Sequence, residues 1–244
     1  MKHRTLTAAT FALGLAASTA PAAFHVMQIE QIIGGINGDN TAQAIQLRLR
    51  GGGQTVVSSS RLRAWDAAGL NPVLLIDMTT NVTNGLTGDN ILIASASFNT
   101  IMTTAFGAGY VRDFTLTNLI PASYLNGGKV TFETDGGFIY WSLAFGAYTG
   151  TNTSGDTTND ADANYGAPTV ALPTASRQGV RFTGAASALS TTNVADYALT
   201  ADPASVRNNA RTSYVVAPEP TSAALLAAGA LGLGGLAFSR RRRS

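Results

Sequence analysis

The sequence predicts an all-β protein whose body, residues 23–214, folds as an antiparallel β-sandwich. Residues 44–50 and 139–145 alternate between apolar and polar side chains, as strands with one face in a core do. Clusters of Gly, Asn and Asp separate the apolar segments at intervals of roughly eight to twelve residues. The body has no sustained 3.6-residue apolar period, and only residues 100–106 and 121–125 are weak helical candidates.

Six strands are expected in the first half of the body, bounded by turn-forming residues. The best defined is 44–50, in which Ile45, Leu47 and Leu49 share one face and polar side chains share the other. A half-buried strand is therefore predicted there. The six predicted strands are 26–33, 44–50, 56–65, 73–78, 91–98 and 111–117.

The second half of the body opens with the strongest hairpin signal of the chain. Strands are predicted over 130–133 and 138–145, around a turn that contains Asp135 and Gly136. An Asp-Gly step accepts the positive φ that tight hairpin turns require. Residues 148–167 are rich in Thr, Asn, Asp and Gly, and they predict a long flexible polar loop. The remaining expected elements are strands at 170–172 and 180–182, core anchors at Tyr197 and Leu199, and either a last strand or a linker at 215–217.

The N-terminus has the composition of a secretory signal peptide. Lys2 and Arg4 give a basic start, and residues 6–17 are apolar apart from two threonines. Ala20-Pro21-Ala22 then offers the small residues of a cleavage site. Residues 1–22 are therefore predicted to be removed, with the cut after Ala22 or Ala23; the alternative is a retained N-terminal anchor.

The C-terminus combines a proline-rich motif, an uncharged stretch and a basic end. A linker over 215–220 carries Pro218, Glu219 and Pro220, and residues 221–239 have no charge. As a helix this stretch is about 28 Å long, close to the roughly 30 Å hydrocarbon core of a bilayer, so a transmembrane helix is predicted. The basic tail, 240–244, is expected on the cytoplasmic side, with the body outside the cytoplasmic membrane. Its basic residues are Arg240, Arg241, Arg242 and Arg243.

This order of Pro-Glu-Pro motif, apolar span and terminal arginine cluster resembles the PEP-CTERM sorting signal of exported bacterial proteins. The resemblance implies processing by an exosortase, a membrane enzyme that cuts near Pro218, Glu219 and Pro220. It also implies a transient anchor in the inner membrane, followed by release of the body to the cell surface or the extracellular matrix. Extracellular polysaccharide is then an expected partner.

The charge and composition of the body exclude several function classes. Residues 24–217 hold ten basic and thirteen acidic side chains, a net charge of −3, although the whole chain is +2. The body therefore lacks the basic excess typical of nucleic-acid binding, and no such partner is expected. The chain has no cysteine, which excludes disulfides, thiolate catalysis and cysteine-based metal sites. His25 is the only histidine of the body.

The body is also similar to lamin-tail-like domains, which are immunoglobulin-like sandwiches. Gln46 and Arg48 depart from the glutamate that such domains usually carry at the end of their first alternating segment. The resemblance supports the sandwich and implies a non-catalytic attachment module. The segments that carry it are 43–49, 62–65, 119–121, 138–143, 148–150 and 198–209.

One segment of the polar loop has the spacing of a calcium loop. Asp160, Asp162 and Asn164 place oxygen ligands at alternate positions, and Ca²⁺ takes six to eight such oxygens. Tyr165 stands where a calcium loop has glycine, and Ala171 where it has a bidentate glutamate, so the ligand set is incomplete. The other interpretation is a solvated polar loop, and no other cofactor is expected.

Three functions remain open. The leading prediction is a non-enzymatic exported surface or matrix protein. The first alternative is a calcium-assisted glycan-binding or adhesion module in which Trp65, Trp141 or Tyr165 stacks on sugar rings. The second alternative is a glycan-acting hydrolase that uses Glu30 and Glu133, which requires both carboxyl groups in one cleft.

Overall fold

The computed structural model describes residues 24–152, 164–189 and 192–217. Within these ranges the chain is mostly β-structure, with two α-helices, α1 (Ala96–Phe106) and α2 (Asn193–Asp196), and short 3-10 turns at Gly107–Gly109 and Ala122–Tyr124. The strands of the described ranges are β1 (Met27–Ile33), β2 (Ala44–Leu49), β3 (Ser60–Trp65), β4 (Val73–Met78), β5 (Asn90–Ala94), β6 (Phe114–Thr115), β7 (Gly127–Thr134), β8 (Ile139–Gly146), β9 (Val180–Phe182), β10 (Tyr197–Leu199), β11 (Ser205–Arg207) and β12 (Ser213–Val215).

The strands form two large sheets and one separate hairpin. Six strands pair in the order β10-β9-β1-β2-β5-β6 and four in the order β4-β3-β7-β8, while β11 pairs only with β12. All of these pairs are antiparallel except β5 with β6. The prediction of a mainly antiparallel all-β fold is therefore confirmed.

One hydrophobic core lies between the two large sheets. It gathers alternate residues of β1, β2 and β5 from one sheet and of β3, β7 and β8 from the other, as packed sheets require. Trp141, Leu143 and Phe145 of β8 are fully buried in it, so the predicted apolar face of this strand is confirmed. The side chains between these core positions point to the outer faces of the two sheets.

A second core covers the outer face of the six-stranded sheet. Ala44 and Leu92 of that face pack with Phe98 of α1 and with Val206 and Tyr214 of the β11–β12 hairpin. As a result, β1, β2 and β5 are buried along their whole length. The prediction of a half-buried strand over 44–50 is therefore wrong: its polar side chains face the interior, where they need hydrogen-bond partners.

Helix α1 replaces the second half of the strand predicted over 91–98. Ser95 caps this helix, and its side chain accepts a hydrogen bond from the backbone N–H of Phe98 at 3.1 Å. Phe98, Ile101 and Met102 then share one helical face, which is buried in the second core. The cap and this i, i+3, i+4 spacing account for the change from strand to helix.

The predicted β7–β8 hairpin is confirmed, with its positive φ at a different glycine. The backbone N–H of Thr134 donates to the carbonyl of Phe138 at 2.9 Å. Gly137, rather than Gly136, has the left-handed conformation, with φ +90°.

Several other elements differ from the prediction in their limits. The strand predicted over 56–65 begins only at Ser60, that over 111–117 keeps two residues, and residues 170–172 form none. Tyr197 is a core anchor as predicted, but Leu199 on β10 is 46% exposed. Of residues 215–217, Val215 ends strand β12, whereas Val216 and Ala217 follow the strand and are buried.

Three of the predicted segments lie outside the described residues. They are the signal peptide at 1–22, residues 153–163 of the polar loop, and residues 218–244 with the sorting motif and the predicted transmembrane helix. In the part of the chain that the structure describes, no helix is long and apolar enough to cross a membrane.

Candidate functional site

The outer face of each large sheet carries a buried glutamate that arginines hold. Glu30 lies on β1 and Glu133 on β7, and their side chains are 2% and 0% exposed. The side chains that bond Glu30, and those that bond Glu133, alternate along their strands with residues of the core between the sheets. Alternate residues of a strand point to opposite faces of its sheet. Each carboxylate therefore lies on the outer face of its own sheet, and the two faces are on opposite sides of the molecule. The pair predicted for a glycan hydrolase is therefore not in one cleft and cannot flank one glycosidic bond.

The Glu30 network consists of Glu30, Gln46, Arg48, Asn90 and Arg181. A β-bulge in β1 leaves Glu30 without an opposite residue on β2. Its carboxylate accepts hydrogen bonds from Gln46 Nε2 at 2.7 Å, from Arg181 Nη2 at 2.8 Å and from Asn90 Nδ2. Arg48 Nη1 lies 3.4 Å from Glu30 Oε1. Four donors from three strands thus satisfy one buried charge.

Arg48 connects this network to the segment that follows β9. Its Nη2 group donates to the carbonyls of Gly184 at 3.3 Å and Ala185 at 3.2 Å. The guanidinium carbon lies 5.4 Å from the ring centroid of Phe182, a cation–π contact. Burial lowers the pKa of Arg48, and the charge of Glu30 opposes that effect. Its Nε has no hydrogen-bond partner in the described part of the chain.

A polar cavity of about 220 Å³ lies over the Glu30 network. The β11–β12 hairpin contributes Ser205, Arg207 and Ser213 to its lining. The backbone N–H of Arg207 donates to Gln46 Oε1 at 2.5 Å, which attaches the hairpin to the sheet. The lining holds three arginines and one carboxylate, a positive formal balance in a body whose net charge is −3.

A second cavity, of about 430 Å³, adjoins the first along the edge strand β10. Arg181 and Ser205 line both cavities, and we call the two adjoining cavities together the arginine groove. Leu199 and Pro203 contribute apolar surface to its second half. Phe182 also lines it but is only 4% exposed, so its ring is not available for stacking on a sugar.

The Glu133 network lies on the outer face of the four-stranded sheet. Arg63 forms a bidentate pair with the carboxylate of Glu133, Nε to Oε1 at 2.6 Å and Nη2 to Oε2 at 2.5 Å. Arg61 Nη2 adds a contact at 3.3 Å and the hydroxyl of Thr131 another at 2.9 Å. Both carboxylate oxygens of Glu133 are therefore engaged by side chains of the same sheet.

Lys129 lies beside this network in a cage of three aromatic rings. Its Nζ is 5.1 Å from the ring centroid of Trp65, 5.5 Å from that of Tyr148 and 5.7 Å from that of Tyr165. Lys129 is 5% exposed, and burial lowers its pKa to about 8, although the charge of Glu133 opposes the shift. Tyr148 and Tyr165 lie near the two ends of the predicted 148–167 loop, and both pack on the sheet as part of this cage. These two tyrosines are therefore buried rather than solvated.

None of the three aromatic residues predicted to stack on sugars is a free platform. Trp141 is fully buried in the core, where its Nε1 donates to the hydroxyl of Tyr197 at 2.7 Å. Tyr165 is also fully buried. Trp65 is half-buried, but its ring already contacts Lys129 and the guanidinium of Arg63, which lies 4.7 Å from its centroid. The stacking mode predicted from these residues is therefore wrong.

The candidate calcium ligands are only partly described. Asp160 and Asp162 lie outside the described residues. Asn164 Oδ1 accepts a hydrogen bond from the backbone N–H of Gly166 at 2.8 Å, an interaction typical of asparagine in turns. Among the described residues, no three His, Cys, Asp or Glu side chains are close enough together to hold a metal ion.

Asn209, which the sequence did not single out as a site, attaches the β11–β12 turn to the body. Its side chain accepts from the backbone N–H groups of Thr83 at 3.2 Å and Asn84 at 2.9 Å, and donates to the carbonyl of Asn90 at 3.1 Å. Its own N–H donates to Asp113 at 2.8 Å. The sequence signal that could have indicated this role is the adjacent pair of asparagines at 208–209 in a short turn. Asparagine side chains often bond nearby backbone groups and so hold a turn in one position.

Comparison of the chain with models of protein families and with curated protein sequences finds no match to either.

Proposed function

We propose that this protein is a non-enzymatic, exported surface or extracellular-matrix protein that is sorted by a PEP-CTERM signal. The observation that carries the proposal is the order of Pro218-Glu219-Pro220, an uncharged stretch over 221–239, and four consecutive arginines from Arg240 to Arg243. The basic start at Lys2 and Arg4 and the apolar segment behind it complete the export signals.

Both ends give the same topology. Basic residues that flank membrane segments stay on the cytoplasmic side, so residues 23–214 are exported. An exosortase-type enzyme then cuts near Pro218 and transfers the body from the inner membrane to the cell surface or matrix. Extracellular polysaccharide is the proposed partner there.

The body is proposed to be an immunoglobulin-like, lamin-tail-like sandwich that serves as an attachment module. Two antiparallel sheets with a shared core support this assignment. The state of the two buried glutamates supports a role other than glycan hydrolysis by this pair: Glu30 and Glu133 are on opposite faces, and each is engaged by arginines.

The intact mass of the mature protein tests the sorting proposal. The full chain is expressed in a Gram-negative host with an exosortase and in a matched strain that lacks it, and the surface fraction is analysed. We expect a mature species without Arg240–Arg243 only in the first host. A variant with Pro218→Ala, Glu219→Ala and Pro220→Ala is expected to keep the tail, whereas Thr221→Ala serves as the control. A wild-type mature protein that retains the tail would mean that residues 221–239 are a plain anchor.

A glycan-binding or adhesion module is the second candidate function. The observation in its favour is the arginine groove, whose first cavity is lined by Arg48, Arg181 and Arg207 and whose second cavity shares Arg181 with it. In this version the ligand is held by charge rather than by aromatic stacking. A contribution from calcium at Asp160, Asp162 and Asn164 remains part of this candidate.

A further inference from the structure

We propose that the arginine groove binds the carboxylate groups of an acidic polysaccharide, such as a chain of uronic acid residues. The inference deepens the proposed function and rests on it in one respect, since it names the ligand class of a matrix-associated body. The recognition chemistry itself comes from the groove.

The groove has guanidinium donors that its own carboxylate does not use. Among the described residues, the side chain of Arg181 makes one hydrogen bond, to Glu30, and it is 41% exposed. Arg207 uses its Nε on the carbonyl of Arg211 at 3.3 Å, and its Nη groups make no hydrogen bond within the described ranges. A guanidinium has five N–H donors in a planar fork that matches a carboxylate. Two partly exposed forks therefore remain for a ligand.

A buried polar atom without a partner belongs to a residue that lines the groove. Arg48 is 9% exposed, and its Nε has no hydrogen-bond partner among the described residues. Buried polar groups are nearly always hydrogen-bonded. An unpaired buried donor at this position is consistent with a site for water or a polar ligand.

The shape of the groove favours an extended ligand over a single small anion. Its two adjoining parts measure about 220 and 430 Å³ and share Arg181 and Ser205 in their linings; ligand sites typically measure about 300–1,000 Å³. The first part is lined by the three arginines, and the second part by Leu199 and Pro203. A saccharide that carries carboxylates offers both the charge for the first part and ring surface for the second. A neutral sugar lacks the charge, and among the described residues that line the groove no exposed aromatic ring is available to hold it by stacking.

Calorimetric titration of the full-length chain in mild detergent tests this inference. The probes are an oligogalacturonate, a neutral malto-oligosaccharide of equal length, a hexaglutamate peptide and sodium acetate. We expect binding of the oligogalacturonate, at least tenfold weaker binding of the other three, and weaker binding as NaCl rises from 50 to 200 mM because the contacts are charged.

Two variants locate the site. Arg207→Glu reverses the charge of one partly exposed guanidinium, and Ser205→Trp places a large side chain where the linings of the two cavities overlap, at an exposed strand position. Each is expected to weaken oligogalacturonate binding at least tenfold. Arg112→Glu makes the same charge change beside β6, at the opposite edge of the six-stranded sheet, and is expected to leave binding within twofold. Circular dichroism of each variant verifies that the fold is intact.

The outcomes separate the inference from its alternatives. Absence of oligogalacturonate binding, or binding that survives both Arg207→Glu and Ser205→Trp, would overturn it. Tighter binding of hexaglutamate would indicate a peptide ligand, and equal binding of acetate a site for free anions; either would also overturn it. The titration uses purified protein and does not depend on sorting. A retained C-terminal tail would therefore contradict only the proposed export route. A failed titration would contradict only the proposed ligand of the groove.

Discussion

Replacement of Lys129 by methionine is expected to stabilise the protein at neutral pH and to remove a pH dependence of its stability. Lys129 is 5% exposed and surrounded by Trp65, Tyr148 and Tyr165. Methionine has a similar length, no charge, and favourable sulfur contacts with aromatic rings. The variant therefore keeps the packing of the cage and removes the cost of burying an ammonium group.

The magnitude follows from the pKa of Lys129, which burial lowers from 10.5 to about 8. Between these two values the unfolded chain holds a proton that the folded chain has released, so the free energy of unfolding rises with pH. One unit of pKa difference corresponds to roughly 1.36 kcal/mol, so the charged form of Lys129 lowers the free energy of unfolding by about 3 kcal/mol in total. Loss of the cation–π contacts costs roughly 0.5–2 kcal/mol. The variant is thus expected to be about 1–3 kcal/mol more stable than the wild type at pH 7.

Urea unfolding at pH 7.0, 8.0, 9.0 and 9.5 measures the effect. The difference in unfolding free energy between Lys129→Met and the wild type is expected to shrink by about 2 kcal/mol between pH 8 and 9.5. Tyrosine ionisation affects both proteins equally and cancels in the difference. Arg112→Met, which removes a charge near the surface, is the control and is expected to show a constant difference. A constant difference for Lys129→Met would refute the lowered pKa, and a large loss of stability at pH 7 would mean that the caged ammonium is net stabilising.

Three further predictions concern buried or candidate carboxylates. Burial raises the pKa of Asp113 to about 6, so its protonated form stabilises the fold fully below about pH 4 and this contribution is lost as pH rises through 6. In thermal melts, Asp113→Asn is therefore expected to gain up to about 3 kcal/mol of stability at pH 7 but little at pH 4. An equal gain at both pH values would be contrary evidence. Glu133→Gln leaves two arginines without their carboxylate and is expected to cost about 2–4 kcal/mol in urea unfolding, whereas Asp135→Asn in the exposed turn is expected to cost almost nothing. Added Ca²⁺ or EDTA is expected to leave the melting temperature unchanged, since the ligand set is incomplete; a Ca²⁺-dependent rise that disappears in Asp160→Ala/Asp162→Ala would instead establish a calcium site.

Local patterns made part of the fold predictable. The alternation in 139–145 and the turn before it were sufficient for the β7–β8 hairpin, because both depend on residues that are neighbours in the chain. The same reasoning failed at 91–98, where Ser95 caps a helix and the strand ends. A short apolar run fits either element, and packing against the second core decides between them.

The candidate site was less predictable, because its residues come from distant parts of the chain. Glu30 meets Arg181 across 151 positions, and Gln46 meets the backbone of Arg207 across 161. In the sequence, Glu30 and Arg48 appear as the solvent-facing positions of amphipathic strands. Nothing in their immediate surroundings indicates that β11 and β12 will cover them.

The sequence by itself determined the periodicity of the strands, the absence of cysteine chemistry, and the Pro-Glu-Pro, apolar and arginine order of the C-terminus. Each of these is a property of consecutive residues. The tertiary structure alone decided which polar side chains are buried, which carboxylate pairs with which arginines, and that Arg181 and Arg207 line one groove. Those outcomes depend on which sheet face receives a second covering layer. That layer includes the β11–β12 hairpin, whose residues lie more than a hundred positions from β1, β2 and β5.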